Sequence, residues 1–369
     1  MSADETRPAA RPVLLLANGN LNGRVIRLLA DHLHLRRRWP VRLVAATGLK
    51  ELVTWPEERD RPHCVEPDWV TPDELNALVA AAAAFVVPPF WNPFVRELVS
   101  LAHLAGTPVM YLMADVGYGV RKLDVAESSM LPGHICVPDP ITRRLMIENG
   151  IPAPLIRETG SPYFDEWVNT RLRPVPETRL RIGVLANPDG MRERLTNREE
   201  RTPEGVIEAL QRVLGLFPGA QVTVRLHPRQ APARIDELFS LPASAAFEPL
   251  EPSSPLADFL SAHHVIVGSY SAGLMVARLL GRAVVSFQPP MADDGLRREI
   301  FATWDVPVAT DEDMFAAMVA ERLRFPGGPL DLPSLLYEPG RSLEAIEQVI
   351  DEALARRGAL AGVSANAWH

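Results

Sequence analysis

Short apolar runs without polar alternation recur along this chain, and each one is followed by a segment with helical periodicity. The first run, PVLLLAN (12–18), ends in Asn-Gly-Asn and precedes the helical pattern VIRLLADHLHLRR. Three more runs follow, one starting at Val41, one within AAAAFVVPP and one starting at Thr107. Continuous apolar strands are typical of parallel sheets covered by helices on both faces. The alternation therefore predicts an α/β fold with a parallel sheet.

This pattern occurs in two series. HICVPD (134–139) and APLIRETGSP (153–162) add two shorter strands to the first series, and the Pro-rich segment RPVPETR, which has no periodicity, follows it. A second series starts at Leu180, with further strands predicted in AQVTVRLHP, AFEPL, HHVIVGSY and AVVSFQP. Because 369 residues exceed the size at which one hydrophobic core stops growing, we predict two Rossmann-like domains that face each other across a cleft.

The domain boundaries follow from the same patterns. We predict a disordered tail at 1–11, a first Rossmann-like domain at 12–167, a linker at 168–179, a second Rossmann-like domain at 180–340, and a C-terminal helix and tail at 341–369. The last helix, from Ser342 to about Arg357, has apolar positions at helical spacing. We expect this helix to cross back and brace the first domain.

Composition and charge exclude several classes of protein. The net charge of -8 argues against a nucleic-acid binder, which needs clustered Lys and Arg. The two cysteines, Cys64 and Cys136, lie in neither a CxxC nor a Cys/His metal spacing. The first residues lack the apolar core of a secretory signal. The longest apolar stretch, Leu78–Trp91, falls short of the roughly 20 residues that span a bilayer. We expect a cytoplasmic protein without an integral membrane segment. The sequence does not determine its oligomeric state.

Ligands of open parallel sheets bind beyond the carboxyl ends of the strands, so polar residues there are the first candidates for a site. VRLHPRQ places Arg225, His227, Pro228 and Arg229 at the end of a Val- and Leu-rich strand. His227 is suited to donate to a phosphate oxygen or to transfer a proton, because its pKa lies near neutrality. Pro228 would fix the backbone there. The alternative is a histidine in an ordinary turn.

The second candidate is GSYSAG, where a buried strand runs directly into a helix. Small residues let the backbone approach an anion, and a helix N-terminus with a Ser cap offers N–H groups and a favourable dipole. The residues concerned are Gly268, Ser269, Ser271, Ala272 and Gly273. The alternative is a serine that only caps the helix. A serine hydrolase is excluded, because the spacing is G-x-x-S-x-G and no Asp and His follow in the required order.

The third candidate is the loop after the first strand of the second series, ANPDGMRERLTNRE (186–199), which contains Asn187. Its arginines could clamp a pyrophosphate, or the loop could be an ordinary solvated one. The chain contains neither GxGxxG nor GxxxxGK[ST]. The chain therefore lacks the usual motifs of dinucleotide-dependent redox enzymes and of P-loop nucleotide-binding proteins.

In the first domain, two loops come after strands and are expected to face the cleft. The loop ANGNLNG supplies Asn18, Asn20 and Asn22, and MADVGYGVRK supplies Asp115 and Gly117. Asp115 is the acid best placed to act as a general base towards an acceptor hydroxyl. An Asp after a strand is also a common helix cap, so both interpretations stay open.

Taken together, VRLHPRQ, GSYSAG and TGSPYFD resemble the motifs of metal-independent, GT-B-like glycosyltransferases with two facing Rossmann domains. The likeness spans most of the chain. It is narrower to the groups that combine a His-Pro motif with a Ser motif: bacterial sialyl- and polysialyltransferases, Kdo capsule transferases and CDP-glycerol glycerophosphotransferases. The resemblance implies an acceptor domain at 12–167, a nucleotide-donor domain at 180–340, and a role in polysaccharide or glycoconjugate biosynthesis.

By this resemblance, His227 and Pro228 would contact the donor phosphate and cytidine, and Ser271, with Ser269 nearby, would hold the phosphate. Asp115 would be the candidate base. No metal and no cofactor beyond the nucleotide-activated sugar is implied.

The chain also departs from these families. Ala272 replaces the second serine of the motif. Val276 and Ala277 stand where UDP-sugar enzymes often place a ribose-binding acid, which argues against a UDP donor and against UDP-sugar 2-epimerase activity.

Three functions remain open from the sequence. The first is a glycosyl- or polyol-phosphate transferase that uses a CMP- or CDP-linked donor and an unknown acceptor. The second is a UDP-sugar-using transferase, or a nucleotide-sugar epimerase or hydrolase, on the same fold. The third is a non-catalytic, degenerate transferase subunit, which Ala272 favours.

Overall fold

The computed structural model describes most of the chain. The described residues are 11–17, 20–37, 39–45, 63–65, 71–89, 93–114, 116, 131–175, 179–186, 202–226, 247–250, 254–288, 295–328 and 330–366. They form two units, one made of Met1–Glu166 together with Leu332–His369, and the other of Trp167–Asp331. The first unit is therefore built from two separate segments of chain, and the second unit from one.

The first unit contains a seven-stranded sheet in which every neighbouring pair is parallel. Its elements are β1 (Val13–Ala17), α1 (Asn20–Arg37), β2 (Val41–Ala45), β3 (His63–Val65), α2 (Pro72–Ala81), β4 (Ala84–Val87), α3 (Pro93–Leu104), β5 (Val109–Leu112), β6 (His134–Val137), α4 (Pro140–Glu148), a 3₁₀ turn (Ala153–Leu155), β7 (Ile156–Glu158) and α5 (Pro162–Val168). The strand order is β3-β2-β1-β4-β5-β6-β7. Strands β1, β4, β5 and β6 are buried along their whole length, which is why their sequences show no polar alternation.

The second unit contains a six-stranded parallel sheet of order β10-β9-β8-β11-β12-β13. Its elements are β8 (Arg181–Leu185), α6 (Thr202–Leu216), β9 (Gln221–Arg225), β10 (Phe247–Leu250), α7 (Leu256–Ala262), β11 (Val265–Gly268), α8 (Ala272–Leu279), β12 (Ala283–Phe287), α9 (Gly295–Thr303), β13 (Val308–Ala309) and α10 (Glu312–Arg324). Side chains of the central strands pack on α6 and α10 in one cluster, which includes Val184, Leu210, Val267 and Phe315.

Several described helices begin at a short polar residue whose side chain caps the helix. Thr71 forms a capping box with Glu74 at the start of α2, and Asp139, Ser271 and Asp311 cap α4, α8 and α10 with their side chains. Each cap satisfies a backbone N–H that has no partner inside its helix. These short polar residues end the strand or loop before the helix and fix where the helix begins.

The chain returns to the first unit through α11 (Leu332–Leu335) and the long helix α12 (Ser342–Asn366). His32 of α1 lies 2.6 Å from a carboxylate oxygen of Glu347 on α12, and Arg37 pairs with the other oxygen. The expected bracing of the first domain is thus confirmed. The helix extends past the predicted end near Arg357, and residues 332–340 group with the first unit, not with the second.

The predicted α/β class with two parallel sheets is confirmed. Sequence patterns missed β3 and β13, which have three and two residues and are too short to show periodicity. Among the helices that the described residues form, none has both the length and the apolar composition needed to cross a membrane.

Candidate functional site

The strand order of the second unit locates a ligand site before any side chain is considered. In the sheet, β8 lies between β9 and β11. The chain that leaves β8 leads to β9 on one side, and the chain that leaves β11 leads to β12 on the other side. Leu185, the last residue of β8, pairs with Gly268, the last residue of β11. The connections that leave these two strands diverge, and such a switch point is where open parallel sheets form a crevice at the carboxyl edge.

The segment GSYSAG occupies this switch point. Gly268 ends β11, Ser269 and Tyr270 form a bend, and Ser271 is the N-cap of α8 with extended backbone angles of φ −148 and ψ 132. Its Oγ accepts a hydrogen bond from the N–H of Gly273 at 3.1 Å. The predicted serine cap is confirmed, and α8 directs its N-terminus to the carboxyl edge of the sheet.

Two glycines allow this segment to lie against the end of β8. A Cβ on Gly268 would stand 2.9 Å from the carbonyl oxygen of Leu185, and a Cβ on Gly273 would stand 2.7 Å from its Cδ1. The first contact is with backbone, which cannot move aside, whereas the second is with the end of a flexible side chain. Glycine is therefore required at 268, and the small residues of the motif bring backbone groups of the two strand ends close together.

Two polar side chains that the sequence analysis did not select lie beside this segment. Ser286 of β12 is the register partner of Gly268, and its Oγ donates to the carbonyl oxygen of Ser269 at 2.5 Å. Gln288, which follows β12, donates from Nε2 to the Oγ of Ser286 at 2.8 Å. Both side chains are buried. The signal that could have revealed them is the pair of polar residues near the end of the otherwise apolar run AVVSFQ.

Arg225 ends β9, the neighbour of β8, and is half-buried. Its Nη2 donates to the carbonyl oxygen of Ser254 at 3.0 Å, which joins the end of β9 to the segment before α7. The structure therefore gives this arginine a bracing contact at the carboxyl edge. Its predicted role in phosphate binding stays a prediction.

Several predicted site residues lie outside the described part of the chain. These are His227, Pro228, Arg229, Asn187, Asp115, Gly117 and Asn18. Asn20 and Asn22 fall in the first turn of α1, after β1, where the described backbone is helical. Of the described candidates, Gly268, Ser269, Ser271, Ala272 and Gly273 lie at the switch point of the second sheet, whereas Arg225 ends the neighbouring β9 and Asn20 and Asn22 belong to the first unit.

Positions 276 and 277 of α8 are completely buried. Val276 and Ala277 are apolar, as expected for buried positions. The next residue, Arg278, is also buried, and it donates to Asp305 and to the carbonyl oxygen of Gly328.

A cavity of about 320 Å³ lies at the amino end of β13, and Asp305 lines it together with Arg322, Glu321 and Phe325. Burial would raise the pKa of Asp305, but the hydrogen bonds and charges of Arg322 and Arg278 outweigh it and hold that pKa below its ordinary value. None of the described residues that line this cavity is a predicted site residue. Among the described residues, no three His, Cys, Asp or Glu side chains cluster closely enough to hold a metal ion.

No protein-family model and no curated protein matches the chain. Solved structures do match it over nearly its whole length. The UDP-GlcNAc 2-epimerase of Neisseria meningitidis, bound to UDP-GlcNAc, is 13% identical with a TM-score of 0.66, and the match covers 92% of this chain and 100% of that one. The fold is GT-B-like.

Two further solved structures of this fold are similar to the chain. Anabaena HepE in complex with UDP-glucose is 10% identical, with a TM-score of 0.55 and coverage of 95% and 99% of the two chains. A glycosyltransferase from Rickettsia africae is 12% identical, with a TM-score of 0.61 and coverage of 93% and 99%. At this level of identity, the likeness shows a shared fold.

Proposed function

We propose that this GT-B-like chain is an enzyme that acts on a UDP-linked sugar, as an epimerase or as a glycosyltransferase. The observation that carries the proposal is the Ser271-capped N-terminus of α8 at the switch point of the second sheet. It is supported by two solved structures of the same fold that hold UDP-GlcNAc and UDP-glucose.

The diphosphate of the ligand would lie against the start of α8. A helix N-terminus carries a partial positive charge and backbone N–H groups, which favour an anion. The segment from Gly268 to Gly273 contains no acidic residue that would repel a phosphate, and Gly268 has no side chain to block its approach. Such a site stabilises negative charge on the nucleotide, which both a transferase and an epimerase need when the bond to the sugar weakens.

The nucleotide base separates two versions of this proposal. The motif resemblance implied a CMP- or CDP-linked donor, whereas the solved structures with bound nucleotide contain uridine compounds. The lack of an acid at Val276 and Ala277 argues against a UDP donor. The solved structures of the same fold nevertheless hold uridine compounds, and the uridine version is the one we propose.

We further propose that the chain needs no metal ion and no additional cofactor. In this proposal, the positive end of α8 and the arginines of the VRLHPRQ segment neutralise the diphosphate. Binding is therefore expected to be the same with and without a chelator.

The test is a thermal-shift titration of the full chain with UDP, UDP-GlcNAc, UDP-glucose, CMP, CDP, GDP and NAD, each with and without EDTA. A ligand at 100 times its Kd stabilises the folded state by about 2.7 kcal/mol, so UDP compounds are expected to raise the melting temperature. ¹H NMR of UDP-GlcNAc incubated with the protein then identifies the product. The 2-epimer would indicate an epimerase, whereas UDP released without the 2-epimer would favour the glycosyltransferase.

Two variants link the response to α8. Ser271→Ala removes the cap at the proposed site, and Asp311→Ala removes the cap of α10 in the same unit. Each is expected to cost about 1 kcal/mol of stability, but only Ser271→Ala should weaken the UDP-induced shift. A selective response to CMP or CDP would favour the cytidine transferase instead. A wild type that responds to no nucleotide would contradict the proposal and favour a non-catalytic subunit.

A further inference from the structure

Gln288 is a buried polar residue at the carboxyl edge of the second sheet. Only 4% of its surface is exposed. Its backbone N–H donates to the carbonyl oxygen of Ala309 at 2.8 Å, which fixes the residue directly beyond β12 and beside the end of β13. Its side chain turns the other way, towards Ser286 and the end of β11.

The hydrogen bonds around Ser286 determine which end of the Gln288 amide faces it. The carbonyl oxygen of Ser269 can only accept, so the hydroxyl of Ser286, at 2.5 Å, must donate its one hydrogen there. The Oγ of Ser286 is then left as an acceptor, and its other neighbour must be the amino end of the Gln288 side chain, at 2.8 Å. The free end of Gln288 is therefore the carbonyl Oε1.

This Oε1 is an acceptor without a donor. No N–H or O–H in the described part of the chain reaches it, and it is shielded from solvent. Buried side-chain oxygens in folded proteins are nearly always hydrogen-bonded, because an unpaired one costs free energy. The residue that carries it is connected by two hydrogen bonds to Ser269, two residues before the capped N-terminus of α8.

We propose that Gln288 is a ligand-binding residue of the nucleotide site. Its Oε1 accepts a hydrogen bond from an N–H or O–H group of the bound nucleotide sugar, and Ser286 holds the amide in the orientation that presents this oxygen. This inference rests on the proposed function, since it concerns the same site. The donor is either the imide N–H of the base or a hydroxyl of one of the two sugars.

The test is isothermal titration of UMP, UDP and UDP-GlcNAc into the wild type and into Gln288→Met, which has a similar volume and no acceptor oxygen. We expect the Kd to rise about tenfold, equivalent to about 1.4 kcal/mol. The melting temperature of the unliganded protein should stay the same or rise, because the unpaired oxygen is gone. The matched control is Gln221→Met, at the amino end of β9 in the same sheet, which should leave the Kd unchanged.

The three ligands identify the donor group. Weaker binding of UMP by Gln288→Met would support a contact to the base or ribose, and weaker binding of UDP-GlcNAc alone would support a contact to the transferred sugar. An unchanged Kd for all three ligands would overturn the inference, and a lower melting temperature beside it would mean that an ordered water satisfies Oε1. A wild type that binds no uridine nucleotide would overturn both this inference and the proposed function.

Discussion

At the scale of single residues, Asp139 is a fully buried carboxyl group, and burial disfavours its charged form. It follows β6 and caps α4, accepting from the backbone N–H of Thr142 at 2.8 Å and from the Thr142 hydroxyl at 2.6 Å. Burial raises the pKa of Asp139 from 3.8 to about 6, and the hydrogen bonds from Thr142 lower it by less. At pH values between 3.8 and about 6, the folded state therefore holds a proton that the unfolded chain has released.

We predict that Asp139→Asn removes a pH dependence of stability. Because the folded pKa is raised, the contribution of Asp139 is greatest below its unfolded pKa and is lost as the pH rises through about 6. From pH 5 to pH 7.5, the wild type should lose about 1 kcal/mol more than the variant. Urea unfolding at both pH values measures this. Asp311→Asn, the exposed cap of α10, is the control, and equal losses in wild type and Asp139→Asn would refute the prediction.

At the scale of elements, the motif TGSPYFD is the surface on which the returning chain docks. Gly160 has a φ of +74, and a Cβ there would stand 2.6 Å from the carbonyl oxygen of Tyr337. Asp165 accepts from the backbone N–H groups of Gly340 and Ser342 at 2.6 and 2.8 Å, so it caps α12 from another element. The sequence analysis used this motif as one of the three that carry the family resemblance; within the first unit, it anchors the start of α12.

Gly160→Ala is predicted to destabilise the protein more than Gly106→Ala. Both glycines have positive φ, but nothing lies within 4 Å of a Cβ at Gly106. The control should therefore lose only the cost of a left-handed backbone, about 1–2 kcal/mol, and Gly160→Ala should lose about 1–3 kcal/mol more, because the Tyr337 segment must shift. The free energy of unfolding in urea compares the two variants. Equal losses of unfolding free energy in the two variants would contradict the prediction, because the close approach of Gly160 to the Tyr337 segment would then not contribute to stability.

At the scale of the whole molecule, the first unit is completed by the last part of the chain. Helix α12 contributes Glu347 to His32 and Arg37, Asp351 to Arg37, and Glu352 to Arg157 of β7. Helix α12 also packs against β4 and β6 of the first sheet, and the first segment of this unit ends at Glu166. The second unit is continuous in sequence and contains none of these contacts.

We predict that removing residues 332–369 weakens the first unit selectively. Hydrogen exchange followed by mass spectrometry should show faster exchange in β4 and β6, against which α12 packs, and little change in β8 and β11. A shorter truncation, which removes only 358–369, keeps Glu347, Asp351 and Glu352 and should leave β4 and β6 protected. Equal acceleration in both sheets after the longer truncation would show that the two units do not unfold separately.

The GT-B-like architecture was largely readable from the sequence. Continuous apolar runs such as VLLLA and VIVG predict buried parallel strands, because a strand covered on both faces has no polar side. Ser271 before an apolar helical pattern predicts a cap for the same local reason. The sequence analysis did not predict β3 and β13, because strands of three and two residues are too short to show a periodic pattern.

The sequence alone thus determined what depends on neighbours along the chain: strands, helices, caps and the parallel class. Only the tertiary structure decided what depends on neighbours in space. It placed Ser286 and Gln288 beside Ser269, although 17 residues separate Ser286 from Ser269. It also buried Asp139, Val276 and Ala277, and set Gly160 against Tyr337. Burial and hydrogen-bond partners arise from strand register and helix packing, and no local pattern contains that information.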